Sequence, residues 1–80
     1  MKDDERKFLK LIFDKCACRY DEHNQDGVSP RDVVNSGIEI NYKRCWYLLE
    51  KWCGKDWYEY GVTLDLGWLT PKGIEIAKGL

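Results

Sequence analysis

Several protein classes are excluded by what this sequence lacks. Its 13 Lys and Arg nearly balance its 14 Asp and Glu, which argues against a protein whose whole surface grips polyanions, although one basic face is still allowed. No apolar run approaches the roughly 18 residues that a membrane-spanning helix requires, so we expect no membrane partner. Two Pro and seven Gly are too few for a linker-rich or collagen-like chain.

The sequence is rich in the residues that build a folded core. Four Trp, five Tyr and two Phe among 80 residues argue against disorder, and this length fits one domain. The segment Met1–Glu5 is polar and lacks the apolar run of a signal peptide. We therefore expect an intracellular, cytoplasmic protein whose four cysteines are reduced thiols.

A first helix is predicted over about residues 4–20, where apolar residues recur at the spacing of one helical face. That face consists of Phe8, Leu9, Ile12, Phe13, Cys16 and Tyr20. Asp3 or Asp4 is the expected N-cap, because an acidic residue suits the positive end of the helix dipole.

Two further helices are predicted in the middle of the chain. The segment 29–32 (Ser-Pro-Arg-Asp) combines an N-cap, a first-turn proline and a reciprocal acid, so a short helix is expected over about 30–36. Gly37 is expected to end it in the left-handed conformation. A third helix is predicted over about 41–53. Its predicted core side carries Tyr42, Cys45, Trp46, Leu49, Trp52 and Cys53.

The C-terminal part predicts a β-hairpin and a closing helix. Aromatic residues favour a strand over 57–60, residues 66–69 return as a second strand, and a Thr-Pro pair begins a helix over about 71–79. Gly73 weakens that helix by roughly 1 kcal/mol relative to Ala, so the helix must lean on the core. The predicted fold class is α+β and mainly α, with a helix-turn-helix followed directly by a hairpin.

This order of elements resembles the winged helix-turn-helix domains of bacterial, archaeal and phage transcription regulators. The most specific stretch is Gly67–Glu75 (GWLTPKGIE), since many such regulators close their wing with a similar Leu-Thr-x-x-Gly segment. The segment 49–51 (Leu-Glu-Lys) is similar to the end of their recognition helix. As an order of elements, the resemblance covers almost the whole chain.

The resemblance implies a DNA-binding transcriptional regulator whose third helix, over about 41–53, enters the major groove of double-stranded DNA. The implied DNA-binding residues are Arg31, Asn41, Lys43, Arg44, Tyr47 and Lys51. Among them, Arg31 at the start of the second helix is a candidate phosphate contact. The predicted wing departs from the family, because residues 60–66 hold no basic residue and one acid, Asp65.

The charge distribution agrees with a basic recognition segment. Residues 1–26 carry a net charge of −1, residues 27–55 of +2 and residues 56–80 of −2. Phosphate contacts need such a local excess, since released counterions supply most of the non-specific affinity. Any amphipathic helix also carries charge on its solvent face, so the excess alone does not separate DNA contact from ordinary solvation.

No motif indicates an enzyme, a metal site or a cofactor. The Cys-x-Cys pair at 16–18 would point to opposite sides of a helix, and the two cysteines of the third helix lie two turns apart, so we expect buried thiols rather than zinc ligands. The loop over 22–27 lacks the glutamate that completes a calcium site, because Val33 stands at that position. His23 lies in this loop without a predicted nucleophile or orienting partner.

A second hypothesis is a winged-helix protein-interaction or adaptor module that does not bind DNA. This hypothesis is favoured by the near-neutral net charge, the acidic wing and the aromatic segment 57–60 (Trp-Tyr-Glu-Tyr). Alternate residues of a strand face opposite ways, so one aromatic set can be exposed as an anchor, or both sets can be packed. A homodimer or a protein partner would then use the first helix or the aromatic hairpin.

Overall fold

In the computed structural model, residues 1–22 and 24–80 are described, and over these ranges the chain forms four helices and one two-stranded antiparallel sheet. The elements are α1 (Asp3–Lys15), α2 (Pro30–Val34), α3 (Tyr42–Gly54), β1 (Tyr58–Tyr60), β2 (Gly67–Leu69) and α4 (Pro71–Lys78). The fold class is mainly helical α+β, as predicted. Within the described ranges, no helix is both long and apolar enough to cross a membrane.

The first helix is shorter than predicted, because α1 ends at Lys15 rather than near residue 20. Cys16 is extended and forms a parallel bridge with Val28. The bridge places the two segments so close that a Cβ at Gly27 would lie 2.6 Å from the Lys15 carbonyl oxygen. A long-range backbone pairing thus ends a helix that the apolar spacing would continue, and it leaves Tyr20 exposed.

The N-cap predicted for α1 is also wrong. Lys2 occupies the N-cap position and makes no side-chain cap, whereas Asp3, Asp4 and Glu5 lie in the first turn. The acidic residues still face the positive end of the helix dipole, as expected. Two of these carboxylates have partners on α3 that the local pattern does not show.

Local signals predict the start of α2 well. The Ser29 side chain accepts a hydrogen bond from the Asp32 backbone, and Asp32 returns one to Ser29, which completes the capping box. Gly37 has a φ of +86°, so the predicted left-handed turn is confirmed. The second helix ends at Val34, two residues early, and Asn41 caps α3 rather than beginning it.

The core lies between α1, α3 and the hairpin. The Trp52 ring stacks on Phe8 with 5.3 Å between centroids and meets Tyr58 edge-on at 6.5 Å. The buried hydrophobic residues are Phe8, Leu9, Ile12, Cys16, Val33, Cys45, Leu48, Leu49, Trp52, Tyr58, Leu64, Leu69, Ile74 and Ala77.

The predicted core side of α3 is rotated from the one observed. The buried stripe runs through Cys45, Leu48, Leu49 and Trp52, and Leu48 was missed. Three residues predicted to be in the core lie at its edge instead: Tyr42 is exposed, and Trp46 and Cys53 are only partly buried. This rotation places aromatic side chains on the outer surface of the helix.

The hairpin is held by side-chain hydrogen bonds as well as by its ladder, in which Tyr58 faces Leu69 and Tyr60 faces Gly67. The buried Tyr58 hydroxyl donates to the Leu64 carbonyl oxygen at 2.6 Å and accepts from the Gly67 backbone at 3.0 Å. A single core side chain, Tyr58, therefore fixes the loop between the strands. Each strand has three residues, one fewer than predicted.

Candidate nucleic-acid interface on the third helix

The outer side of α3 presents aromatic residues and one lysine. We define the α3 surface as Tyr42, Lys43, Trp46, Tyr47 and Glu50, which together line a shallow groove. Tyr42 and Tyr47 are 57% and 54% exposed. The Tyr42 ring lies 6.0 Å from Trp46, tilted by 56°. The α3 surface is thus an aromatic patch beside a cation.

Lys43 is exposed in the first turn of α3, next to the N-cap. Within residues 1–22 and 24–80, its ammonium makes no ion pair. Its backbone N–H donates to Asn41 Oδ1 at 2.8 Å. Asn41 therefore has a structural task at the helix start, and its amide NH₂ group is the donor left to contact a phosphate.

Arg44 is held by α1. Its Nε lies 2.8 Å from Asp4 Oδ2 and its Nη2 3.3 Å from Asp4 Oδ1, a two-pronged contact between guanidinium and carboxylate. The guanidinium also lies 5.2 Å from the centre of the Tyr47 ring. The hydrogen bond from Arg44 lowers the pKa of Asp4. Sequence reasoning missed this contact because the partners are 40 residues apart.

Lys51 points toward α1 instead of outward. Its Nζ lies 2.9 Å from Glu5 Oε1, and Trp52 Nε1 donates to Glu5 Oε2 at 3.0 Å. Burial by itself raises the pKa of Glu5, but these two hydrogen bonds outweigh it and lower the pKa. The buried Glu5 is a charged residue in the core that no local pattern predicted.

Arg31 joins α2 to the loop of the hairpin. Its Nε lies 2.7 Å from Asp65 Oδ2 and its Nη2 3.1 Å from Asp65 Oδ1, while its backbone N–H donates to the Asp65 carbonyl at 2.9 Å. The hydrogen bond from Arg31 lowers the pKa of Asp65. Asp65, the acidic residue in the predicted wing, where winged-helix regulators usually carry basic ones, thus has a partner inside the molecule.

A cleft of about 330 Å³ lies beside this ion pair and connects α2, α3 and the hairpin loop. Its lining residues are Arg31, Val34, Asn35, Tyr42, Trp46, Thr63 and Asp65. The cleft adjoins the α3 surface through the two shared aromatic residues. Three of the six predicted DNA-binding residues, Arg31, Arg44 and Lys51, therefore carry an intramolecular carboxylate partner.

The aromatic hairpin is mostly packed. Tyr58 is buried, and Trp57 is partly buried with the Lys55 ammonium 4.8 Å from its ring centre. Trp68 donates to Glu59 Oε1 at 2.7 Å, and the Tyr20 hydroxyl donates to the same carboxylate oxygen. Of the 57–60 segment, Tyr60 is the exposed aromatic residue. The hairpin therefore offers fewer free rings than the α3 surface.

The four cysteines are free thiols. Cys16 and Cys45 are buried, and Cys18 and Cys53 are partly buried. Burial raises the pKa of Cys16 to about 12, which keeps this thiol protonated and unreactive near neutral pH. Within the described ranges, no three or more His, Cys, Asp or Glu side chains converge as a metal site would require. The loop prediction for His23 lies outside the described residues.

Comparison with protein families, curated proteins and solved structures finds no match to this chain. A functional hypothesis therefore depends on the geometry of the α3 surface and of the ion pairs around it.

Proposed function

We propose that this protein is a winged-helix DNA-binding protein that acts as a transcriptional regulator. In this proposal α2 and α3 form the helix-turn-helix, β1 and β2 form the wing, and α3 is the recognition helix. The observation that carries it is the exposed N-terminal part of α3, where Lys43 and Tyr47 protrude while Trp52 anchors the other end in the core.

The dimensions of α3 fit this role. A helix of 13 residues is about 20 Å long, and a major groove about 12 Å wide admits an α-helix. Lys43 and Arg44 lie at its start, where recognition helices usually reach base edges and phosphates. Tyr47 adds a hydroxyl one turn further along. We assign the main DNA contacts to Lys43 and Tyr47, because Asp4 already holds Arg44.

The wing has a different role in this proposal from the one that the resemblance implies. Its loop carries no basic residue, and Val62 at the tip is 86% exposed and apolar. Asp65 instead ties the loop to Arg31 of α2. We propose that the wing orients α2 and α3 and that DNA contact depends on α3.

The test is a titration of duplex DNA of about 20 base pairs at several salt concentrations. Lys43→Glu is expected to weaken binding by about tenfold or more and to reduce the salt slope by about 1. Lys72→Glu is the matched control, because it makes the same charge change at an exposed residue of α4, a helix that packs on α1 and β2. Equal losses in both variants would refute α3 as the recognition helix.

A protein-interaction module is the second candidate, favoured by the exposed aromatic rings on α3. Interface centres are enriched in Tyr, Trp and Arg and depleted in Lys and Glu. Tyr42, Trp46 and Arg44 provide that chemistry at one place. This candidate predicts no DNA retention at low salt, and self-association by light scattering that is lost in Tyr47→Ala. Loss in Tyr60→Ala instead would assign the interface to the hairpin.

A further inference from the structure

We propose that Asp4 is a specificity-determining residue that limits sequence-independent DNA binding by occupying Arg44. This inference rests on the proposed DNA-binding function and deepens it. It concerns what the predicted phosphate-binding side chains do when no DNA is present.

The pattern behind the proposal is a carboxylate on each of three cations. Arg44 contacts Asp4, Arg31 contacts Asp65, and Lys51 contacts Glu5. The acids come from α1 and from the hairpin loop, so the pairing is a property of the tertiary structure rather than of one helix. All three acids lie outside residues 27–55, so the three pairs neutralise more positive charge than the net +2 of that segment.

The two arginine contacts use the geometry that phosphate would use. A guanidinium binds a carboxylate or a phosphate through two parallel N–H groups. Arg44 already gives Nε and Nη2 to Asp4, at 2.8 Å and 3.3 Å. A DNA phosphate must either displace this carboxylate or accept hydrogen bonds from the remaining N–H groups of Arg44. Either route lowers the affinity that Arg44 adds to DNA binding.

Asp4 is the carboxylate that can give up its partner most easily. Its side chain is 40% exposed, against 11% for Asp65 and 2% for Glu5. Glu5 also accepts from Trp52, and Asp65 also accepts from Thr63. Those two acids therefore stabilise the fold from within, whereas Asp4 lies at the surface, and its other hydrogen bond comes from the neighbouring Glu5 backbone N–H at 2.7 Å.

The consequence is an affinity that depends on the sequence of the DNA. Counterion release supplies most non-specific affinity, and a cation that is already paired releases few counterions when phosphate arrives. Base contacts from the α3 surface must then supply the difference in affinity between one DNA sequence and another. Without the Asp4 carboxylate, Arg44 becomes a free phosphate contact on any sequence.

The experiment compares Asp4→Asn with Asp3→Asn on generic duplex DNA over a range of salt concentrations. Both changes remove one charge from the first turn of α1, and Asp3 makes no ion pair within the described residues. Asp4→Asn is expected to bind about fivefold more tightly than Asp3→Asn and to have a salt slope steeper by about 0.9. In an Arg44→Gln background, Asp4→Asn is expected to give no gain beyond that of Asp3→Asn. Urea unfolding of each variant confirms that it is folded.

Equal affinities of the two variants would overturn the proposal, since total charge would then explain any gain. Weaker binding by Asp4→Asn would also overturn it and would make Asp4 a residue that merely positions Arg44. If wild-type protein binds DNA and Lys43→Glu weakens it, either result leaves the proposed function standing. No binding by wild type or by Asp4→Asn would overturn both proposals.

Discussion

At the scale of single residues, close packing against a neighbouring backbone can matter more than helix propensity. Gly73 in α4 looks like a weakness, because glycine destabilises a helix interior relative to alanine. The structure corrects this interpretation. A Cβ at Gly73 would collide with the carbonyl oxygen of Trp57, so the absent side chain is what lets α4 pack against the start of the hairpin.

Gly73→Ala is therefore expected to destabilise the protein by about 1–3 kcal/mol, the usual cost of overpacking, despite the better helix propensity of alanine. The measurement is the free energy of unfolding in urea, followed by tryptophan fluorescence. Gly54→Ala is the control, since nothing lies within 4 Å of a Cβ at that helical position. A stabilised Gly73→Ala variant would contradict the packing argument.

At the scale of elements, the helix ends are set by a mixture of local and distant contacts. The Thr70 hydroxyl caps α4 by accepting from the Gly73 backbone at 3.1 Å. The same hydroxyl donates to the Asp56 carbonyl at 2.5 Å. Asp56 has a φ of +63°, so the left-handed residue after α3 is Asp56, two positions beyond the last helical residue, Gly54. One threonine therefore connects two turns.

Thr70→Val keeps the shape of the side chain and removes both hydrogen bonds. We expect a loss of about 2–3 kcal/mol in the free energy of unfolding, because the Asp56 carbonyl and the buried Gly73 N–H lose their partner together. Ser29→Ala, at the less buried cap of α2, is expected to cost about 1 kcal/mol. Chemical denaturation of both variants tests which substitution costs more stability. Equal losses would show that the hydrogen bond to Asp56 contributes nothing.

At the scale of the whole molecule, α3 has to serve the core and the surface together. The domain measures 29 × 23 × 21 Å, and a helix about 20 Å long spans most of it. Its inner stripe packs on α1 and the hairpin, and two of its cations, Arg44 and Lys51, are held by carboxylates of α1. Electrostatic pairs therefore connect the parts of the fold across its surface, and their strength depends on pH.

Stability is expected to fall as the pH drops below about 4.5. Partners lower the pKa of Glu5 and Asp65 below their ordinary values of 4.5 and 3.8. A carboxyl with a lowered pKa in the folded state stabilises the fold above its unfolded pKa, and this stability is lost as the pH falls through the folded pKa. Urea midpoints between about pH 7 and pH 3 measure the decline.

Glu5→Gln identifies the source of that decline. Its amide no longer attracts the Lys51 ammonium, so we expect a loss on the order of 2 kcal/mol at neutral pH and a shallower decrease below pH 4.5. Asp14→Asn, at an exposed site on the same helix, is the control for the change in charge. An unchanged pH profile in Glu5→Gln would show that Glu5 does not control acid stability.

The order of elements could be predicted from the sequence because its signals are local. The Ser29 capping box, the left-handed Gly37 and the Thr-Pro start of α4 each act within a few residues. The end of α1 could not be predicted, because Cys16 leaves the helix to pair with Val28, and such pairing is not encoded in apolar spacing. The same reason explains the wrong placement of Tyr20.

For the candidate site, the sequence by itself determined which cations and aromatic residues belong to α3. Only the tertiary structure decided which of these side chains are free. It exposes Tyr42 and leaves Lys43 unpaired within the described residues, while Asp4, Glu5 and Asp65 hold the other cations. The physical reason is range: caps and periodicity act over one or two turns, whereas each ion pair joins residues more than 30 positions apart that only folding brings together.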